Sequence, residues 1–324
     1  MDCKRVTVVG SYNVGLFLKG QRLPKFGETI IGDEFHEGGG GKGSNQAIAA
    51  SYLGGKVNFI GRIGNDKYGQ DALAMYRRIG VSTDFIQIDK TIHSGISVIL
   101  IDKDGNNIIS VIPGANFNLC QDDINKAEHA VRNSKIVGFQ LENRLNIIDY
   151  AIRKVHSMGI ATLLDPAPAV KLPKDLYPYI DYIKPNETEA SILTDIEVKD
   201  FDSAKKAARW FIDNGVKNVI ITLGKRGAIL VRKDDSATYE FEPPKVEAVD
   251  TTGAGDVFSG ALMAELSNGA DISNAIEFAN HAAALSVTKL GVIEAIPHLD
   301  EVKAFMGHGS CNSRGRDIKN DDQR

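Results

Sequence analysis

Short runs of β-branched and other apolar residues recur along this chain, separated by long amphipathic stretches, and that alternation restricts the fold more than any other feature. Residues 6–9, 57–60, 136–139, 161–164, 182–184 and 219–223 are short runs rich in β-branched and other apolar residues. Each therefore predicts a strand covered on both sides. The stretches near 43–53, 66–80, 145–158 and 202–214 carry apolar residues three and four positions apart, the spacing of a helix with one buried stripe. Strands and helices in alternation predict an α/β fold, a three-layer α/β/α sandwich around a mostly parallel central sheet.

Two segments break the rhythm. Residues 11–36 hold extended pieces at 16–18 and 29–35, and residues 95–112 hold 96–101 and 108–112 around the hairpin signal Asp104-Gly105. No long helix separates these strands, so they are expected to form a small antiparallel β-sheet projecting from the main sheet as a lid. This gives a large α/β unit of residues 1–10, 37–94 and 113–306 and a lid of 11–36 and 95–112. Residues 307–324 mix Gly, Ser, Asn and alternating charges without periodicity and are expected to be a disordered tail.

A chain of 324 residues is long enough for one such large unit with an appendage. Its 38 basic and 42 acidic residues leave a formal charge of −4, and no basic stripe is present to displace counterions from a nucleic acid. The three cysteines, Cys3, Cys120 and Cys311, are too few and too far apart for a disulfide framework or a paired metal site, which fits a cytoplasmic setting. The apolar run at 6–9 is too short for a signal peptide or a membrane span.

The sharpest chemical signal is Asp250-Thr251-Thr252-Gly253-Ala254-Gly255-Asp256, followed by Val257, Phe258, Ala261, Leu262 and Leu266 at helical spacing. Small residues let a ligand approach the backbone, and free N–H groups in the first turn of a helix attract an anion. Asp256 stands at the edge of that cradle, placed to take a proton from an attacking hydroxyl while the amides neutralise a phosphoryl group in transfer. An N-capping Asp after a glycine turn accounts for the same residues equally well.

A second cluster, Gly38 to Gly41 with Lys42-Gly43-Ser44-Asn45, also runs into a small-residue helix. It is not a Walker A loop, because Gly43 follows Lys42 where a hydroxyl is required and His36 occupies the position of the first Gly. Its backbone amides and the Asn45 side chain suit a ligand rich in hydroxyls; a plain surface loop is the alternative. Asn186 and Glu189 lie three apart at a helix start, where the carboxylate suits a hydrated Mg²⁺ or a helix cap. The turn from Thr222 through Gly224 to Gly227 follows a strand and suits a nucleotide or a simple β-turn. All of these fall beyond the carboxyl ends of strands, where ligands of open parallel sheets collect.

In this order and spacing the motifs resemble the ribokinase, or PfkB, family of carbohydrate and nucleoside kinases over residues 5–306. The resemblance is carried by the stretch from Gly40 to Gln46, Gln140-Leu141-Glu142, Asp165-Pro166-Ala167-Pro168, Pro185-Asn186-Glu187-Thr188-Glu189, Thr222-Leu223-Gly224 and residues 250–256. It implies ATP-dependent phosphorylation of a sugar's terminal hydroxymethyl, such as D-ribose to D-ribose 5-phosphate, or of another pentose, a ketohexose, a sugar acid or a nucleoside. Asp256 would be the base and the backbone of Gly253, Ala254 and Gly255 the anion hole. Asn13, Gly41, Lys42, Asn45 and Glu142 would contact the sugar. Asn186, Thr222, Gly224, Gly227, Gly255 and Asn280 would border the nucleotide.

The resemblance further implies Mg²⁺ held through water by Asn186 and Glu189. It implies a K⁺-type monovalent ion at Asp250, Thr252, Ser286, Lys289 and Gly291, with Ala295 where a hydroxyl often completes the shell. A homodimer joined through the lid, whose apolar residues include Ile96, Val98 and Leu100, is also implied. One position departs from the pattern: Gly15 stands where family members usually carry an Asp that binds sugar hydroxyls. The expectation is that Gly15 makes room for a bulkier or differently hydroxylated substrate. A sugar-binding regulator on the same fold would have lost the base or the anion loop, and both are intact.

Overall fold

The computed structural model describes residues 5–308 and 316–317. The chain runs through β1 (Arg5–Val9), β2 (Asn13–Lys19), β3 (Glu34–Gly40) and α1 (Lys42–Tyr52). β4 (Val57–Gly64), α2 (Lys67–Ile79), β5 (Ser82–Asp89), β6 (Gly95–Ile101) and β7 (Asn107–Ile112) follow. Short helices α3 (Gln121–Lys126) and α4 (Glu128–Arg132) precede β8 (Ser134–Phe139), α5 (Leu145–Ser157), β9 (Ala161–Leu164) and β10 (Tyr182–Ile183). Then come α6 (Glu187–Thr194), α7 (Phe201–Asp213), β11 (Asn218–Thr222), β12 (Ala228–Arg232) and β13 (Thr238–Phe241). The long helices α8 (Ala254–Asn268) and α9 (Ile272–Ser286), then α10 (Leu299–His308) and β14 (Arg316–Asp317), complete it.

The main sheet has the order β14-β13-β12-β11-β10-β9-β8-β1-β4-β5. It is parallel from β11 to β5 and antiparallel at the β12 to β14 edge. The apolar-rich strands are explained by their neighbours: Val8 packs into one core with α1, α8 and α9, while adjacent Val9 packs into the other with α5 and α7. Each large side chain sealed there, such as Phe59, Phe139 or Phe211, contributes about 1.5–3 kcal/mol. Helix α8 is buried nearly all round, and at Gly260 it approaches α1 so closely that a β-carbon would lie 2.6 Å from Ala49 Cβ. That close crossing brings the N-terminal turn of α1 against the N-terminal turn of α8.

The second sheet, β3-β2-β6-β7, is separate. Its hairpins β2–β3 and β6–β7 are antiparallel, but β2 and β6 pair in parallel, so the expected antiparallel sheet is in fact mixed. The segments α1, β4, α2 and β5 intervene between β2 and β6, an excursion long enough for the chain to return in the same direction. Asn13, Gly15 and Phe17 share one face of β2, and Val14, Leu16 and Leu18 the other. Of the expected tail, Gly307 and His308 close α10 and Arg316–Asp317 pair with β13; its other residues lie outside the described residues. Among the described residues no helix is long and apolar enough to cross a membrane.

Candidate active site

Gly253, at φ +78°, turns the chain into α8 and leaves the helix without a side-chain cap. Asp256 is not the cap. Its carboxylate is 5% exposed and turns toward α1, where Asn45 Nδ2 donates to Oδ2 at 2.8 Å and Gln46 Nε2 to Oδ1 at 3.2 Å. The Ala254 N–H lies 3.3 Å from Thr251 O, whereas among the described residues the N–H groups of Gly255 and Asp256 have no acceptor. A held carboxylate and two free amides thus share one helical turn, the arrangement that can accept a proton and cradle an anion at once.

Polar side chains converge beside Asp256. Glu142, just past β8, accepts from Ser11 Oγ, from Lys42 N at 2.7 Å and from Asn13 Nδ2 at 3.4 Å. Gly41 at φ +90° lets this loop lie on the start of β2, where a β-carbon would stand 2.7 Å from Asn13 N. Asn45 Oδ1 is buried without a partner, an unsatisfied acceptor next to the Asp256 carboxylate. The Lys42 ammonium sits in the field of Asp256 first, then Asp165, Glu142 and Glu189, which together raise its pKa against the opposing effect of burial. The space beside Gly15 is not open: the Phe17 ring fills it, 2.7 Å from where a β-carbon would be. The expected room for a bulkier substrate is taken by that ring, the far end of a side chain that can turn away.

Asn186 and Glu189 form a complete capping box on α6. Asn186 Oδ1 accepts from Glu189 N and Glu189 Oε2 from Asn186 N, both at 2.8 Å. Burial, with the Asp165 carboxylate next, raises the pKa of Glu189. An under-compensated carboxylate of this kind fits a hydrated divalent ion. Among the described residues no cluster of three His, Cys, Asp or Glu forms a direct cage. Thr222 continues the sheet by a parallel bridge to Asn186. Gly224 has positive φ and open space around its Cα; at Gly227 a β-carbon would meet Phe241 O at 1.9 Å. Asn280 Nδ2 donates to that same Phe241 carbonyl at 3.4 Å, so Asn280 and the Gly227 turn meet.

Asp250 ties two loops together, accepting from Thr252 N at 2.9 Å and Gly291 N at 3.2 Å, while its own N–H donates to Val287 O at 3.2 Å. A carboxylate is the ligand type that a hard cation takes, and here both its oxygens already accept backbone N–H groups. Ser286 lies at the end of α9, and Ala295 is buried and has no side-chain oxygen. The Lys289 ammonium pairs with Glu301 on α10 at 2.8 Å, so only its backbone remains at the loop. Sequence reasoning passed over several residues: Gln46 and Asp165 within quoted motifs, Lys184 at the end of a predicted strand, Ser259 on α8, Phe17, and Asn116, which donates to Tyr12 O and Asn13 Oδ1 at 2.9 Å each. The signal for Asp165 and Lys184 was available, since each is a charge directly after a buried strand.

Residues 4–299 match the pfkB family carbohydrate kinase description. A ribokinase of Staphylococcus aureus (strain COL) is 38% identical over 300 residues, 92% of this chain and 98% of that protein. A deoxyribokinase of Salmonella typhi is 34% identical over 304 residues, covering 93% and 98%. The structure of Arabidopsis thaliana ribokinase complexed with ribose and ATP superposes with a TM-score of 0.86 at 31% identity, covering 94% of this chain and 98% of that one. The chain belongs to the pfkB family of carbohydrate kinases and is an ATP-dependent phosphotransferase.

Proposed function

We propose that this kinase transfers the γ-phosphoryl group of ATP to the terminal hydroxymethyl of a pentose, with Asp256 as general base and the α8 first turn, Gly253 to Gly255, as anion hole. D-Ribose leads the substrates because the relatives are named for it; another pentose is the second reading, since one relative is named for deoxyribose. The observation that carries the proposal is the pairing of a buried carboxylate with free Gly255 and Asp256 amides in one turn. Asp256 takes the hydroxyl proton as oxygen attacks phosphorus, and the amides stabilise charge on the transferring group.

Asn13, Gly41, Lys42, Asn45 and Glu142 orient the sugar, the unsatisfied Asn45 Oδ1 being an acceptor for one of its hydroxyls. Asn186, Thr222, Gly224, Gly227 and Asn280 border the nucleotide. Asn186 and Glu189 would hold Mg²⁺ through water, and the ion would neutralise the phosphates. Asp250, Thr252, Ser286, Lys289 and Gly291 would hold a monovalent cation beside the anion hole. The small sheet acts as a lid that excludes water, which would otherwise compete for the phosphoryl group. Its outward face exposes Leu18, Phe35, Ile108 and Ile112, which supports a homodimer through the lid. The test is sugar-dependent ADP release across pentoses, hexoses, sugar acids and nucleosides; no release with any of them would defeat the proposal.

A further inference from the structure

Asp165 and Lys184 have no part in the roles assigned above, yet they lie beneath both halves of the site. Asp165 directly follows β9, and Lys184 directly follows β10. Their side chains are each 3% exposed, with Lys184 Nζ 2.8 Å from Asp165 Oδ2. The same ammonium donates to Gly255 O at 3.1 Å. Ser259 Oγ, one turn further along α8, lies 2.9 Å from the same carboxylate oxygen and 3.0 Å from Gly255 O, so its single proton is shared between the two acceptors. Gln46 Nε2 then joins Asp165 Oδ2, at 2.9 Å, to Asp256 Oδ1, at 3.2 Å. Gln140 Nε2 donates to Gln46 Oε1 at 2.6 Å and so fixes which end of that amide faces the carboxylates.

Two charges taken out of water are costly, and a well-packed neutral pair in such a place is often no less stable. Stability alone therefore does not explain the pair. A neutral pair would lack a charged donor on the Gly255 carbonyl and a carboxylate that takes hydrogen bonds from α1 and α8 together. We propose that the Lys184–Asp165 ion pair is a positioning element for phosphoryl transfer, setting the first turn of α8 and the Asp256 carboxylate relative to each other through Gly255 and Gln46. This rests on Asp256 being the base. Because both side chains are closed off beneath the site, their effect falls on kcat and not on KM.

The experiment compares wild type, the near-isosteric neutral double variant Asp165→Asn with Lys184→Met, and Ser259→Ala, which removes one hydroxyl and leaves both charges. Thermal unfolding and full initial-rate kinetics in sugar and ATP are measured on each. The expected result for the double variant is wild-type melting, unchanged KM for both substrates and kcat lower by about tenfold or more, as misalignment of reacting groups gives. Ser259→Ala shows the same split with kcat roughly fivefold lower, the worth of one hydrogen bond. Full kcat in the double variant, or a raised KM at unchanged kcat in either, overturns the proposal. Unchanged kcat in Ser259→Ala does so even where the double variant fails to fold. Sugar-dependent ADP release by the wild type is measured first and bears on the parent reading alone.

Discussion

Phe17 folds its ring over Gly15, so that a β-carbon at residue 15 would stand 2.7 Å from Cε2 and 3.0 Å from Cζ. Both residues lie on the face of β2 that carries Asn13 toward Glu142, and the ring is tilted against His36 across the hairpin, centroids 5.9 Å apart. A side chain at 15 and the ring at 17 therefore compete for one volume. Gly15→Asp alone is expected to leave the sugar KM no better than wild type, because the new side chain has first to displace the Phe17 ring. Gly15→Asp with Phe17→Ala is expected to lower the KM for D-ribose about tenfold, since a hydrogen bond to a charged acceptor contributes about 1.5–3 kcal/mol. Initial rates on the three proteins decide it; equal gains from the single and double variants would show that the ring is no obstacle.

Asp256→Asn keeps the shape of the carboxylate and can still accept from Gln46 Nε2, while its new amide N–H group is met once Asn45 turns its unpartnered Oδ1 inward, so the fold and the nucleotide site should survive. Proton abstraction should not. The expected outcome is a fall in kcat of roughly 10²–10⁴ with ATP affinity unchanged by calorimetry. Turnover within tenfold of wild type would reassign the base.

Glu189 gives a pH-dependent prediction whose sign follows from its raised pKa. The folded chain holds that proton more tightly than the unfolded one. Its contribution to stability is therefore complete below the ordinary carboxylate range and is lost as pH rises through the raised value. Ionised Glu189 at neutral pH is a cost that a divalent cation bound there would offset. Glu189→Gln can keep the capping box, because a Gln at that position still accepts from the Asn186 N–H, and it loses only the exposed bond that Oε1 takes from Asn186 Nδ2 at 2.9 Å. Without Mg²⁺ at neutral pH the variant should melt at or above wild type, and the advantage should vanish in acid. Mg²⁺ with a non-hydrolysable ATP analogue should raise the wild-type Tm more than the variant's. A variant that melts below wild type at neutral pH without the ion reverses the sign and sinks the assignment.

The parts legible in the sequence are those set by local pattern. Val8 and Val9 announce a strand with two covered faces, and Gly253 with Gly255 announces a helix entrance without bulky side chains. The parts that were not legible depend on which distant segments meet. The parallel pairing of β2 with β6 is decided by the path through α1 and β5, and nothing in either strand encodes its direction. Gly15 was visible as a missing side chain, but the rotamer that sends Phe17 back over it was not. Asp165 and Lys184 are 19 positions apart and meet only because β9 and β10 are adjacent parallel strands.

The outward face of the lid leads to a prediction about assembly. Along β2, β3 and β7 it presents Leu18, Phe35, Ile108 and Ile112, with Phe35 64% and Ile108 53% exposed. Leu18 pairs in register with Phe35, and Ile108 with Leu100, so the apolar side chains form one continuous surface and not scattered points. A second copy of the same face would remove it from water, gaining roughly 25 cal/mol for each Å² of apolar area. Phe35→Lys with Ile108→Lys places like charges on both sides of such a contact. Light scattering on the sized protein should then read a monomer in place of a dimer. In the proposed dimer, where the partner would steady the lid, losing that contact should raise the sugar KM and leave the KM for ATP unchanged. A wild type that is monomeric at working concentration, or a variant that stays dimeric, places the assembly surface elsewhere.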